Sequence, residues 1–252
     1  MATGPSDVSL KVPTEYKMID TIERIRHVDR LTPLSLVDQV ANQLVLGIAS
    51  GRIARGERII EAELAEDFGI SRIPLREAMS VLESQGILVA EPRRGRRVAG
   101  FDESQVRDVC ETRLALETLA VRQAAATYRR DPARLKPLDA VLSQMRADLA
   151  SGPEPLKLNQ NDVNFHTEIY AATDNSYLQM LWDALSRHVV IVFALETFHR
   201  HEPELNLKQH EKLRDLMISG DFAALDREVE AHILSYGGPV SPRVPITPSK
   251  KD

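Results

Sequence analysis

Asp162 and His166 stand four residues apart in a segment whose apolar residues Leu158, Phe165 and Ile169 recur at helical spacing, so a carboxylate and an imidazole share the inward face of one helix. His210 lies on the stripe of Leu207, Leu213 and Met217, and His232 on that of Leu225, Val229 and Tyr236, which turns two further imidazoles inward from later helices. One carboxylate oxygen and three imidazole nitrogens form a donor set for a divalent transition ion, with Zn, Ni, Mn or Fe all compatible and positions left for water or a ligand. Spacing alone leaves an alternative open, since a single inward histidine is commonly a hydrogen-bonded core residue. The same donors could activate water in a metal-dependent hydrolase, but no general base stands beside them in the pattern; the expectation is therefore no enzyme and no catalytic residue.

Two more polar residues fall on apolar stripes and point into the same interior. Arg113 is centred among Val106, Val109, Ala120 and Ala124, where an unpaired guanidinium would be costly and an anion is needed. Glu117, one turn on, can supply that anion, and a ligand carboxylate gripped in a bidentate fork can do so equally well. His188 sits among Leu181, Ala184, Leu185, Ile191, Val192 and Leu195, and is expected to line the pocket without binding metal. His199, His201 and His27 are expected to face solvent.

The elements that must position these groups are helices, predicted over 103 to 128, 132 to 150, 155 to 173, 176 to 200, 204 to 219 and 221 to 236. Cap and turn residues separate them: Asp131-Pro132, Ser151-Gly152-Pro153, Asp174-Asn175, Glu202-Pro203 and Gly220-Asp221. An antiparallel bundle is the natural packing for such a series.

Upstream, residues 61 to 85 (EAELAEDFGISRIPLREAMSVLESQ) read as two helices joined by a tight turn at Gly69. Ser71 is placed to cap the second helix and Pro74 suits its first turn. Leu75, Ala78, Met79 and Leu82 form its inward stripe, leaving Ser71, Arg72 and Arg76 on the opposite face, side-chain types that bond phosphate oxygens and guanine edges in the major groove. Strand-like runs at Ile87 to Ala90 and Arg96 to Val98 flank Glu91-Pro92-Arg93-Arg94-Gly95. They predict a β-hairpin with a basic tip, a wing in which Arg93, Arg94, Arg96 and Arg97 attract a phosphate backbone.

Composition sets the limits. The 252 residues, 43% of them hydrophobic, allow two domains with a sizeable core, and no apolar run of about 18 residues is present to span a bilayer. A start without a basic-then-apolar segment predicts a cytoplasmic protein, and one cysteine, Cys110, excludes an internal disulfide or Cys-based zinc finger. The net charge is −5, and residues 34 to 100 hold nine Arg against nine Asp and Glu, so attraction to DNA must come from placement rather than total charge.

Residues 34 to 101 resemble the winged helix-turn-helix of the GntR transcriptional regulators, in the FadR-like branch. The resemblance rests on an amphipathic first helix (Leu36, Val37, Val40, Leu44, Ile48), on GRIARGERIIEAELAEDFGISRIPLREAMSVLESQGILV and on the wing. It implies DNA contacts from Ser71, Arg72, Ile73, Pro74, Arg76, Arg93 and Arg94. Ile73 takes a place often held by Thr and Ala62 one that can carry Arg, so base preference does not transfer from a relative. NDVNFHTEIYAATDNSYL and QHEKLRDLMISGDFAALDREVEAHI resemble the FCD effector domain, whose metal-binding members place their ligands at positions matching Asp162, His166, His210 and His232.

The expected protein is mainly α, with an N-terminal winged helix-turn-helix and small β-hairpin wing at 34–101, and a C-terminal all-α antiparallel helical bundle at 102–236. Residues 1–33 form an extension with a short helix near Met18 to Ile25, and 237–252 a Pro-rich tail, both expected to be unstructured in part. The function implied is a homodimeric repressor bound to a two-fold-symmetric double-stranded operator, holding a divalent metal ion and a small carboxylate effector, with Arg113 and His188 at the effector. An effector-independent architectural DNA-binding protein is the remaining class, and it would have no use for an inward Asp/His set.

Overall fold

The structure, a computed structural model, describes residues 35–152, 155–197 and 202–234. Within the N-terminal half, α1 (Leu36–Ala49) buries Val40, Ala41, Leu44, Val45 and Ile48, the stripe its 3.6-residue period dictates. α2 (Glu61–Asp67) is short and ends in a turn where Gly69 takes φ 63°, a left-handed conformation that glycine adopts without steric cost. α3 (Arg72–Ser84) follows and packs Leu75, Ala78, Met79 and Leu82 against α1. Ser71 does occupy the N-cap with extended backbone, but its hydroxyl makes no capping hydrogen bond, contrary to expectation.

The hairpin is present as β2 (Leu88–Glu91) and β3 (Gly95–Val98), with Leu88 opposite Val98 and Glu91 opposite Gly95. A third strand, β1 (Arg58–Ile59), pairs antiparallel with β3, so the sheet order is β1-β3-β2. Two residues are too short a run to carry an alternating pattern, which is why the strand was not legible in sequence.

Beyond Phe101 the chain is helical: α4 (Glu103–Arg130), a 3-10 turn (Pro132–Leu135), α5 (Lys136–Ala150), α6 (Pro155–Ala172), α7 (Ser176–Thr197), α8 (Pro203–Ser219) and α9 (Phe222–Leu234). Asp102 starts α4 with a full capping box, its carboxylate accepting from Gln105 N while the Gln105 side chain accepts from Asp102 N. The segment predicted as one helix from 132 opens instead as a 3-10 turn, because Pro137 has no N–H to give to an α-helical first turn. α4, about 42 Å long at 1.5 Å per residue, packs against α6, α7, α8 and α9, so it is the post around which the bundle is built. α7 packs against α1 as well as α4, and thereby touches both halves of the molecule. Among the described residues no helix is long and apolar enough to cross a membrane. The helix expected near Met18, the two ends expected to be unstructured, His27, His199 and His201 lie outside the described residues.

Candidate functional site

Asp162 and His166 on α6, His210 on α8 and His232 on α9 meet in the bundle interior, all four buried, with one donor atom from each inside a 4.8 Å span. His210 Nε2 lies 3.1 Å and His232 Nε2 3.7 Å from Asp162 Oδ1, while His166 Nε2 is 3.9 Å from Asp162 Oδ2. His166 Nε2 and His232 Nε2 are 3.1 Å apart. Ligand atoms bound at ~2.1 Å to one ion lie ~3.0 to 3.4 Å from one another, so the spacing is already close to that of a coordination shell.

The outer nitrogens explain which atoms face inward. His210 Nδ1 donates to the Asn206 backbone carbonyl at 2.7 Å, His166 Nδ1 lies against the Glu117 carboxylate, and His232 Nδ1 faces the Gln209 amide oxygen at 3.5 Å. With the proton on Nδ1, Nε2 is left as a lone pair aimed at the centre, the arrangement of metal-ligating imidazoles. In that tautomer the Nε2 lone pairs of His166 and His232 oppose each other at 3.1 Å, and that of His210 opposes an Asp162 carboxylate oxygen at 3.1 Å. A cation between them removes both repulsions. A proton is a poor candidate, because burial holds His166 and His232 below the usual imidazole range. The donor set therefore fits a divalent ion.

Arg113 takes the partner that the sequence left as one of two possibilities. Its Nε donates to Glu117 Oε1 at 2.6 Å, and it adds a contact that the helical pattern did not reveal, a terminal nitrogen 3.3 Å from Asp162 Oδ2. Burial pushes Glu117 and Asp162 up, but the Arg113 charge, with the imidazoles beside each, more than offsets this and holds both ionised, Asp162 well below the usual carboxylate range. Trp182 walls the same region: its ring stacks on Tyr170 at 4.7 Å, lies 6.0 Å from that of His166, and has the Arg113 guanidinium 5.9 Å from its centre.

Glu117, Asn206, Gln209 and Trp182 are the site residues that sequence reasoning missed in these roles. Glu117 was visible only as a partner for Arg113. The Asn206 acceptor is its backbone carbonyl, one helical turn before His210, and so carried no residue-type signal.

His188 does not join this group. Its Nε2 lies 3.0 Å from the Gln85 carbonyl, at the C-terminal end of α3, and its ring meets Phe101 edge-on at 6.3 Å. His188 itself thus points from α7 toward the N-terminal half rather than the pocket, a distinction a helical wheel cannot make. Its neighbour Arg187 bonds Asn42 Oδ1 and Asp38 Oδ1 of α1, each at 3.1 Å.

On the N-terminal half, Ser71, Arg72, Ile73 and Arg76 are exposed at the start of α3, with Pro74 half-buried behind them. Arg76 Nε is held by Glu61 at 2.6 Å, whereas Arg72 has no ion-pair partner among the described residues. In the wing, Arg96 pairs with Glu83 at 2.6 Å and Arg97 with Glu91 at 2.8 Å, so the tip residues Arg93 and Arg94 carry the wing's unengaged charge among the described residues. Arg94 N donates to Glu91 O at 3.0 Å across a turn in which Arg93 has φ 64°. Glycine or asparagine is usual there, and arginine accepts a strain of about 1 kcal/mol that throws its side chain outward.

Comparison with known proteins agrees with this layout. The chain is 29% identical over 204 residues to the uncharacterized HTH-type transcriptional regulator YdhC of Bacillus subtilis, covering 81% of this chain and 89% of that protein. It is 32% identical over 168 residues to the gluconate operon transcriptional repressor of Bacillus subtilis, covering 67% and 68%. The solved structure of E. coli McbR/YncC superposes with a TM-score of 0.66 at 22% identity, over 81% of this chain and 95% of that one, a likeness of fold. Residues 36–98 match the gntR family of bacterial regulatory proteins and residues 108–235 match the FCD domain. The chain therefore belongs to the GntR family of transcriptional regulators, with the helix-turn-helix followed by the FCD domain as in the FadR-like branch.

Proposed function

We propose that this regulator is a metal-containing, carboxylate-responsive repressor that binds a two-fold-symmetric operator as a homodimer. The observation that carries the reading is the convergence of three imidazole Nε2 atoms and an Asp162 oxygen, each ring's outer nitrogen turned onto an oxygen acceptor. Asp162, His166, His210 and His232 would hold the ion, which when bound offers an open coordination position to a ligand oxygen. Charge explains why that ligand is an anion: the buried residues are Arg113 against Asp162 and Glu117, so a divalent ion brings the cluster to one net positive charge. A monocarboxylate returns it to neutrality in a region where an uncompensated charge is costly. The gluconate operon repressor among its relatives makes sugar acids the first class to test.

Coupling to DNA would run through α7, which has Trp182 beside the cluster and, one to two turns on, Arg187 and His188 bonded to the DNA-binding half. For the dimer, the exposed apolar residues Leu119 on α4 and Tyr177, Met180 and Leu181 on α7 supply an uncharged face. The two helices run side by side there, with Asn175 Nδ2 3.5 Å from Gln123 Oε1.

Elemental analysis and thermal melting test the centre. The full-length protein, reconstituted with Zn, Ni, Mn or Fe salts, is expected to hold one ion per chain and to melt higher than after chelation, and His210→Ala, His232→Ala to lose both properties. Absence of metal in the reconstituted wild type would sink the proposal.

A further inference from the structure

Ile73 is the second residue of α3, and 70% of it is exposed. The inward stripe of the helix begins two residues later at Leu75, so Ile73 owes its position to nothing in the core. Nor is it a stray surface residue: it stands between Ser71 and Arg72 on one side and Arg76 on the other, at the end of the helix that a helix-turn-helix presents to the major groove. Two observations narrow what it meets there. Arg76 is paired with Glu61 of α2, whereas Arg72 has no ion-pair partner among the described residues and Ile73 beside it is open to solvent. Arg93 and Arg94 on the wing, and Arg72 beside Ile73, carry positive charge with no ion-pair partner among the described residues, which suits a phosphate-lined surface and not an apolar protein partner.

A branched aliphatic side chain has no hydrogen bond to offer a base edge. The one apolar feature of the major-groove floor is the thymine C5 methyl group. We infer that Ile73 packs against a thymine methyl in each half-site, making it a specificity-determining residue that demands an A·T pair at that step. The inference rests on the DNA-binding assignment and adds to it which base is read without hydrogen bonds. A threonine here could present a hydroxyl to several bases; isoleucine removes that option and enlarges the apolar contact.

The test begins with selection of binding sites from random duplexes by the full-length protein, followed by anisotropy titrations in which each half-site thymine is replaced in turn by deoxyuridine. That change removes only the methyl group. At one thymine, loss of the methyl is expected to weaken wild-type binding about fourfold, the equivalent of one buried methyl group, while Ile73→Ala binds the two duplexes equally. Ile73→Ala should melt with the wild type, because the side chain is outside the core. Deoxyuridine effects equal in wild type and Ile73→Ala at every thymine would overturn the inference and leave the DNA-binding assignment intact. Failure to select any sequence would overturn both.

Discussion

The two halves of the molecule use the same residue types under opposite conditions. In the helix-turn-helix and wing, arginines and glutamates form pairs at the surface: Arg76 with Glu61, Arg96 with Glu83 and Arg97 with Glu91, with arginine side chains 60%, 21% and 38% exposed. In the bundle, Arg113 and Glu117 are paired at 2.6 Å with side chains 2% and 1% exposed, and Asp162 and three imidazoles crowd against them. Water competes for every contact in the first set and for none in the second. A surface pair can therefore be surrendered to a DNA phosphate at little cost, whereas each buried group depends on the others and on whatever ion completes them.

This difference predicts a hierarchy of effects. The largest belongs to Arg113→Ala, which leaves Glu117 and Asp162 facing each other's charge without water. Urea unfolding of the metal-free protein should show a loss of about 3 to 5 kcal/mol, and calorimetry on any reconstituted protein that remains should show carboxylate affinity reduced. A loss under 1 kcal/mol would mean the cluster is wetter than its burial indicates, and the contrast between the halves would fall. Unchanged acid affinity in that variant would remove the carboxylate role and leave Arg113 as a positioning partner for Glu117 and Asp162.

Next in size are effects on DNA. Arg72→Ala should cost about 1 to 3 kcal/mol in operator binding if its guanidinium reads a base. Arg76→Ala should cost less than Arg72→Ala, because Glu61 already competes for its Nε. Arg93→Ala and Arg94→Ala should weaken binding to all sequences alike and lower the slope of log affinity against log salt by about 1 each. Neither helix variant should shift the melting temperature, which separates recognition from folding; normal operator affinity in Arg72→Ala, Arg76→Ala would sink the placement of the reading helix.

The smallest effect is expected from Arg96→Ala. Its pair with Glu83 ties the wing to α3 through partly exposed side chains, so unfolding free energy should change by under about 1 kcal/mol. A larger loss would show that the wing's ion pairs behave more like the buried set than their exposure implies.

Much of this architecture was readable one segment at a time. Ends of α4, α6, α8 and α9 fall within about two residues of the breaks marked by Asp102, Asp174-Asn175, Pro203 and Gly220, because caps and helix breakers act over a single turn. β1 was missed and the 3-10 turn at Pro132–Leu135 merged into a helix, since a two-residue strand has no period and a proline near a helix start fits either reading. Ser71 illustrates the limit of type-based inference: the residue suits a cap and sits in the cap position, yet its hydroxyl makes no capping hydrogen bond to the helix backbone.

By itself the sequence determined which side chains turn inward and which turn out, since the helical period sorts faces within each element. That was enough to put Asp162, His166, His210, His232 and Arg113 on buried stripes, and Arg72 and Ile73 on an open one. Only tertiary structure decided that α6, α8 and α9 bring their histidines to one point, that Glu117 reaches His166 as well as Arg113, and that His188 turns to Gln85 instead of the cluster. Those contacts, Glu117 with His166, His166 with His232 and His188 with Gln85, join residues 49, 66 and 103 positions apart. Local periodicity specifies a direction from a helix axis and carries no information on what stands there; the packing of one helix on another supplies it.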